Sequence, residues 1–198
     1  LFEDGGVDGI VSAGDGGLMD WGFIDGIRAI STGCAGPVEE TGPGLFPHGL
    51  VVTVDSEGLA ASVVYPDSTL EPGIPVDGGM VAGIESVAAS LRPPLPEAEP
   101  SWRISLSHRM TCQNTFDENV TGVLGFQVFD STSWQISPDP VDAILEPGMT
   151  RTIRLSVEAD PPTMTPVPRY SLDVLYDGRL VHRENGPLSF VIPPPRTG

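Results

Sequence analysis

The chain has no lysine: all ten of its basic residues are arginine, against 27 acids in 198 residues, for a formal net charge of −17. Without lysine there is no P-loop, because that loop needs its Lys to reach the phosphates, and no Schiff-base chemistry. The acid excess also argues against direct binding to nucleic-acid phosphates, which rewards arginine and lysine contacts. Cysteine is scarce, with only Cys34 and Cys112. These two, far apart in sequence, and three isolated histidines, His48, His108 and His182, do not make the ligand spacing of a structural zinc site. Each histidine is read as an ordinary strand or loop residue, with His182 exposed on the return strand of a hairpin. No apolar run approaches the roughly 18 residues of a membrane span, because Gly, Pro or Asp interrupts every one. A G-x-S-x-G elbow and a G-x-G-x-x-G fingerprint are both missing; the nearest approach, Gly9 to Gly14, has its glycines in the wrong register.

What the chain has in quantity is turn chemistry, with 24 Gly and 21 Pro, which leaves little room for long helices. Charge is uneven along it. Residues 1–100 hold 16 acids and two arginines (Arg28 and Arg92), whereas residues 101–198 hold 11 acids and eight arginines, so the halves read as different modules. Residues 1–45 carry repeated Asp-Gly pairs and form the expected acidic, Gly-rich N-terminal arm. Inside it Met19, Phe23, Ile24, Ile27 and Ile30 have helical spacing weakened by Gly22 and Gly26, which fits a short helix or an extended arm laid on a partner.

Residues 46–92 form a small β-rich region. Leu50 to Val54 and Leu59 to Tyr65 flank Asp55-Ser56-Glu57-Gly58 as a hairpin does. Met80, Ile84, Val87 and Leu91 recur at helical spacing and predict one short helix, with a strand as the alternative. Residues 93–100 are dense in proline and read as a stiff linker.

Over residues 101–193 the period becomes two. Trp102, Ile104 and Leu106 alternate with polar residues, as do Ile153, Leu155 and Val157, and Tyr170, Leu172, Val174 and Tyr176. Asp177-Gly178 is a two-residue hairpin turn. The expected fold is mainly β: an antiparallel sandwich in the C-terminal half, preceded by the Gly/Pro-rich arm and the small β-rich region.

Three features of that half carry a resemblance: the polar loop Asn114 to Gly122, then Trp134-Gln135-Ile136-Ser137-Pro138, then Leu145-Glu146-Pro147-Gly148-Met149-Thr150 leading into an alternating strand. Together they resemble bacterial and archaeal immunoglobulin-like extracellular sandwich domains of the NEW3 type, over about residues 102–192. The resemblance implies an immunoglobulin-like sandwich serving as a spacer, adhesion unit or accessory module, and it brings no catalytic residue. Trp134 would cap the core, and Pro147-Gly148 would turn the next strand back. Nothing in residues 1–100 carries such a resemblance.

Two local features bear on ligands. Asp4 to Asp15 fits a twelve-residue calcium loop, with Asp4 and Asp8 at positions one and five, Gly9 at six and Asp15 at twelve, but Gly6 stands where a ligand belongs. A Gly-rich hairpin with solvated Asp-Gly turns is the plainer reading, and no cofactor is expected. Cys34 and Cys112 allow one disulfide, which would tie the two halves together; two buried thiols are the alternative. The chain opens Leu1-Phe2-Glu3-Asp4, without the regions of a secretory signal, and a start at Leu leads us to expect a processed N-terminus.

The expected function is non-enzymatic: a structural or interaction protein, an exposed subunit of a larger extracytoplasmic or particle assembly. Its partners would be proteins, with no nucleic acid and no membrane span, and homo-oligomers are open to it. A capsid decoration protein or a peripheral subunit of a membrane complex is one alternative. A carbohydrate-binding or enzyme-accessory module is another, with Trp21 the indole left to stack on sugar if Trp102 and Trp134 enter the core.

Overall fold

A computed structural model describes residues 7, 9–13, 17–33, 42–44, 46–56, 58–99 and 101–191. The protein is mainly β, with several small, mostly antiparallel sheets and, among the described residues, one short helix. It divides into two compact units, Leu1–Glu85 with Arg179–Arg183, and Ser86–Gly178 with Glu184–Gly198.

In the first unit, strands β1 (Gly9–Ala13), β2 (Met19–Ile24) and β3 (Ile27–Thr32) form a sheet ordered β1-β3-β2, with β1 parallel and β2 antiparallel to β3. This corrects the expectation of a short helix over Met19 to Ile30. Asp25 and Gly26 both take positive φ, 52° and 82°, the geometry of a tight hairpin turn that Asp-Gly is built to adopt. The apolar residues that mimic a helical stripe are instead spread over two paired strands. Strand β4 (Gly42–Pro43) pairs with His182 and Arg183.

Strands β5 (Gly49–Asp55), β6 (Gly58–Val64) and β7 (Leu70–Pro72) make a second antiparallel sheet, ordered β5-β6-β7. The hairpin expected around Asp55 to Gly58 forms there. Leu18, Phe46 and Val63 make a buried cluster, with Leu50, Tyr65, Ile74 and Leu180 packed against it. Phe46 stacks on Tyr65 with ring centroids 5.7 Å apart. Gly44 is required beside this core: its φ is +72°, the Leu18 N–H donates to its carbonyl at 2.9 Å, and a Cβ would fall 2.3 Å from the Leu18 carbonyl oxygen.

Helix α1 (Val81–Leu91) buries Ile84, Val87, Ala88 and Leu91, so the helical spacing is what the fold uses. Asp77 caps its leading turn, its Oδ1 accepting from the N–H groups of Gly79 at 2.7 Å and Met80 at 3.1 Å.

The second unit begins at Ser86, midway along this helix. Its proline-rich segment lies against the protein rather than spanning free. Pro96 and Ala98 are buried, Ala98 N–H donates to the Val191 carbonyl at 3.0 Å, and Val191 N–H donates to Pro96 at 2.9 Å. An extended, proline-stiffened backbone has no internal hydrogen bonds, and Val191 takes up two of its polar groups.

Strands β8 (Ile104–Gln113), β9 (Val120–Gln127), β10 (Gln135–Ser137), β11 (Val141–Leu145), β12 (Thr150–Ala159), β13 (Arg169–Tyr176) and β14 (Arg179–Pro187) follow. One sheet is ordered β10-β12-β8 and the other β11-β9-β13-β14-β4. Alternate residues are buried along them: Met110 and Cys112 in β8, Leu155, Val157 and Ala159 in β12, Val141, Ala143 and Leu145 in β11, Leu172 and Val174 in β13.

Trp134 is buried, donates its Nε1–H to the Met164 carbonyl at 2.8 Å and packs on Phe190, as expected of a core cap. Trp102 differs. It sits half-exposed with φ +66°, its N–H closing a turn onto Glu99, and the strand starts only at Ile104. Gly148 at φ +73° and the bond from Met149 N–H to the Glu146 carbonyl make the expected turn between β11 and β12.

Candidate functional site

The most unusual surface is the hairpin of β2 and β3. Its residues Trp21, Phe23 and Ile24 are 52%, 74% and 56% exposed. Three large apolar side chains in four positions is a concentration that a lone exposed residue does not have. Phe23 and Ile24 are consecutive, so they point to opposite faces, and both faces of the hairpin tip stand in solvent. Trp21 is the extra residue of a β-bulge between Asp20 and Gly22, with Gly22 at φ +72°. The bulge interrupts the alternation and turns the indole outward.

This tip is held firmly from below. Met19 and Ile30 are buried. Arg28 Nη2 pairs with Asp20 Oδ2 at 2.7 Å, and its Nη1 donates to the Leu59 carbonyl at 2.7 Å. Trp21 Nε1–H donates to Ser31 Oγ at 3.2 Å, and the indole lies against Gly78, where a Cβ would be only 3.2 Å from the ring. Beside the tip is an open, mainly polar depression of about 430 Å³ lined by Phe23, Gly26, Arg28, Asp55, Ser56, Gly58 and Leu59. The arginine in it is already committed to Asp20 and Leu59. An exposed apolar tip on a bonded base, next to a polar hollow, is an arrangement suited to docking.

In the second unit an open groove of about 540 Å³ runs beside edge strand β10, lined by Val128, Trp134, Gln135, Ile136, Ser137, Ser156 and Glu158. A separate polar cluster there joins Tyr170, Glu184 and Arg92. Tyr170 Oη–H donates to Glu184 Oε1 at 2.5 Å, and Arg92 Nε donates to Glu184 Oε2 at 2.8 Å. Burial, then the bond to the Glu184 carboxylate, pushes the Tyr170 phenol up to about 12. Its carboxylate is engaged by neighbours on both oxygens, which makes it a structural clamp. Sequence reasoning did not single out Glu184. Its place on an alternating strand is shared with many acids, so no signal there marks it.

The residues singled out from sequence are scattered. His48 precedes β5, buried; its Nδ1–H donates to the Phe46 carbonyl at 2.7 Å, and its Nε2 is hydrogen-bonded to the Thr32 hydroxyl at 3.0 Å. His108 is in β8. His182, expected to be exposed, is fully buried in β14. Its neighbour Val181 is fully buried too, so both faces of that strand are covered, and alternation along one strand cannot reveal this.

Cys112 is a free, buried thiol, 3.8 Å from the Arg151 carbonyl, and burial raises its pKa. Cys34 lies outside the described residues, and so does the pairing of Cys34 with Cys112. The proposed calcium ligands Asp4, Asp8 and Asp15 also lie outside them; between them Gly9 to Ala13 form β1. Among the described residues no helix is long and apolar enough to cross a membrane.

In comparison with known proteins, no family model matches the chain, and no curated protein matches it in sequence.

Proposed function

We propose that the protein is a non-enzymatic interaction protein, an exposed subunit of a larger extracytoplasmic or particle assembly, docked through the β2–β3 hairpin. One observation carries this reading: Trp21, Phe23 and Ile24 stand in solvent on a hairpin whose base is tied by Arg28, Asp20 and Ser31. A rigid apolar anchor loses little conformational freedom on binding, which is how aromatic residues come to dominate interfaces. The second unit is the spacer or platform, an immunoglobulin-like sandwich in which the β10-β12-β8 sheet faces β11-β9-β13-β14. Its alternating burial and the capping Trp134 support this.

The test is a photo-cross-linker placed at Phe23 in the producing cells, with one at exposed Leu95 as the control. A single protein adduct of defined mass from position 23, absent from position 95 and lost with Trp21→Ala, is expected. Retention of the native association by a Trp21→Ala, Phe23→Ser double variant would overturn the docking site. The anchored, half-exposed Trp21 also fits a carbohydrate-binding module, and glycan-array binding that disappears with Trp21→Ala while no protein adduct forms would select that reading instead.

A further inference from the structure

We propose that a second copy of this chain adds to the free edge of β5, joining two β5-β6-β7 sheets into one continuous six-stranded sheet through a two-fold axis at Val52. This contact uses a different strand from the hairpin docking proposed above, although Asp55 at the end of β5 also lines the hollow beside that tip.

Strand β5 is terminal in its sheet, and among the described residues no other element bonds to its outer side. Natural edges are blunted by bulges, prolines, lysines or inward charges. This one has none of these over seven residues. Its register with β6 runs unbroken from Gly49↔Val64 to Asp55↔Gly58, and Leu50 to Val54 is uncharged and rich in β-branched side chains. Val51, Val52 and Val54 are 47%, 37% and 70% exposed, so beyond Leu50, which packs on the Leu18, Phe46 and Val63 cluster, both faces of the strand reach solvent.

The occupant follows from geometry and charge. Asp55 and Gly58 close a two-residue loop and bond each other across it. By antiparallel alternation the N–H and C=O groups of Leu50, Val52 and Val54 then point away from β6. A second β5 running antiparallel must place outward residues opposite outward residues. The register that overlaps all seven residues pairs Val52 with its own copy and Leu50 with the copy's Val54. It sets Asp55, the strand's one charge, opposite the copy's Gly49. The two Asp55 carboxylates are then about 20 Å apart, six residues at roughly 3.4 Å each. That exceeds the Debye length of about 8 Å at physiological salt. The strand is therefore self-complementary in pairing and keeps its one charge away from its copy, and what opposes the dimer is the general repulsion between two bodies of net charge −17.

That opposition gives the contact a signature. Sedimentation equilibrium of the full chain is expected to show a monomer–dimer equilibrium that tightens as NaCl rises from about 20 mM to about 500 mM, where the screening length shrinks from about 20 Å to about 4 Å. Val52→Pro and Val54→Pro each remove an outward N–H without touching the β6 ladder, and each should weaken dimerisation about tenfold or more while circular dichroism stays unchanged. As a check that does not depend on proline, Val52→Cys in a Cys34→Ser, Cys112→Ser background should oxidise to a disulfide-linked dimer faster than Val51→Cys in the same background. A chain that stays monomeric at every salt and concentration, a dimer that weakens with salt, a dimer indifferent to both prolines, or faster linkage at position 51 would each overturn the proposal.

Discussion

At Asn114 a single side chain holds a whole loop. Fully buried, it donates through Nδ2 to the carbonyls of Glu118 at 2.7 Å and Leu145 at 3.0 Å, and accepts the Phe116 N–H through Oδ1 at 2.9 Å. Removing one partner of a buried bond strands the others, at about 1–3 kcal/mol. Asn114→Ala is therefore expected to lower unfolding free energy by roughly that amount, measured by urea denaturation, whereas Thr115→Ala next to it, on an exposed side chain, should change it far less. The residue is legible in the sequence only as part of a polar loop. That its amide is buried and saturated depends on β11 ending beside it.

At the scale of elements, period and turn chemistry carried different amounts of information. Strands β8, β12 and β13 were readable because one face is buried and a period of two survives in the sequence. Helix α1 was readable because its buried positions keep the helical spacing. The β2–β3 hairpin was misleading: Met19, Phe23, Ile24, Ile27 and Ile30 are spaced as on a helix, and only the left-handed Asp25-Gly26 turn reveals two strands. For the helix, Asp77 Oδ1 holds the turn that leads into it by accepting from the N–H groups of Gly79 and Met80, the latter also reaching the Asp77 carbonyl at 3.1 Å. Asp77→Ala should cost about 1 kcal/mol, and Asp77→Asn much less, because Asn caps as well as Asp does. Denaturant midpoints of the two variants check this; equal losses would mean that the carboxylate charge, rather than the cap, is what matters.

For the whole molecule, stability has a predicted alkaline limb. The Tyr170 phenol has its pKa raised to about 12 by burial and by Glu184, above the ordinary value of about 10 that it regains on unfolding. A raised folded pKa means the folded state holds its proton longer. The stabilisation is complete below about pH 10 and is lost as pH climbs from about 10 towards 12. Tyr65 and Tyr176 are shifted in the same direction, first by burial, so the wild-type curve keeps a slope of its own. The diagnostic quantity is the stability difference between wild type and Tyr170→Phe, which should shrink across that window. A constant difference from pH 8 to 12 would refute the assignment.

Binary patterning, turn residues and composition determined that the chain is β-rich, that its helix is short, and where several hairpins turn, because these follow from local sterics and from one-sided burial. The tertiary structure decided which apolar residues stay in water. Phe23 and Ile24 look in sequence like part of one helical stripe, and His182 like a surface residue. A side chain's burial depends on what covers its face of the strand, and that cover comes from residues distant in the chain, which no local pattern encodes.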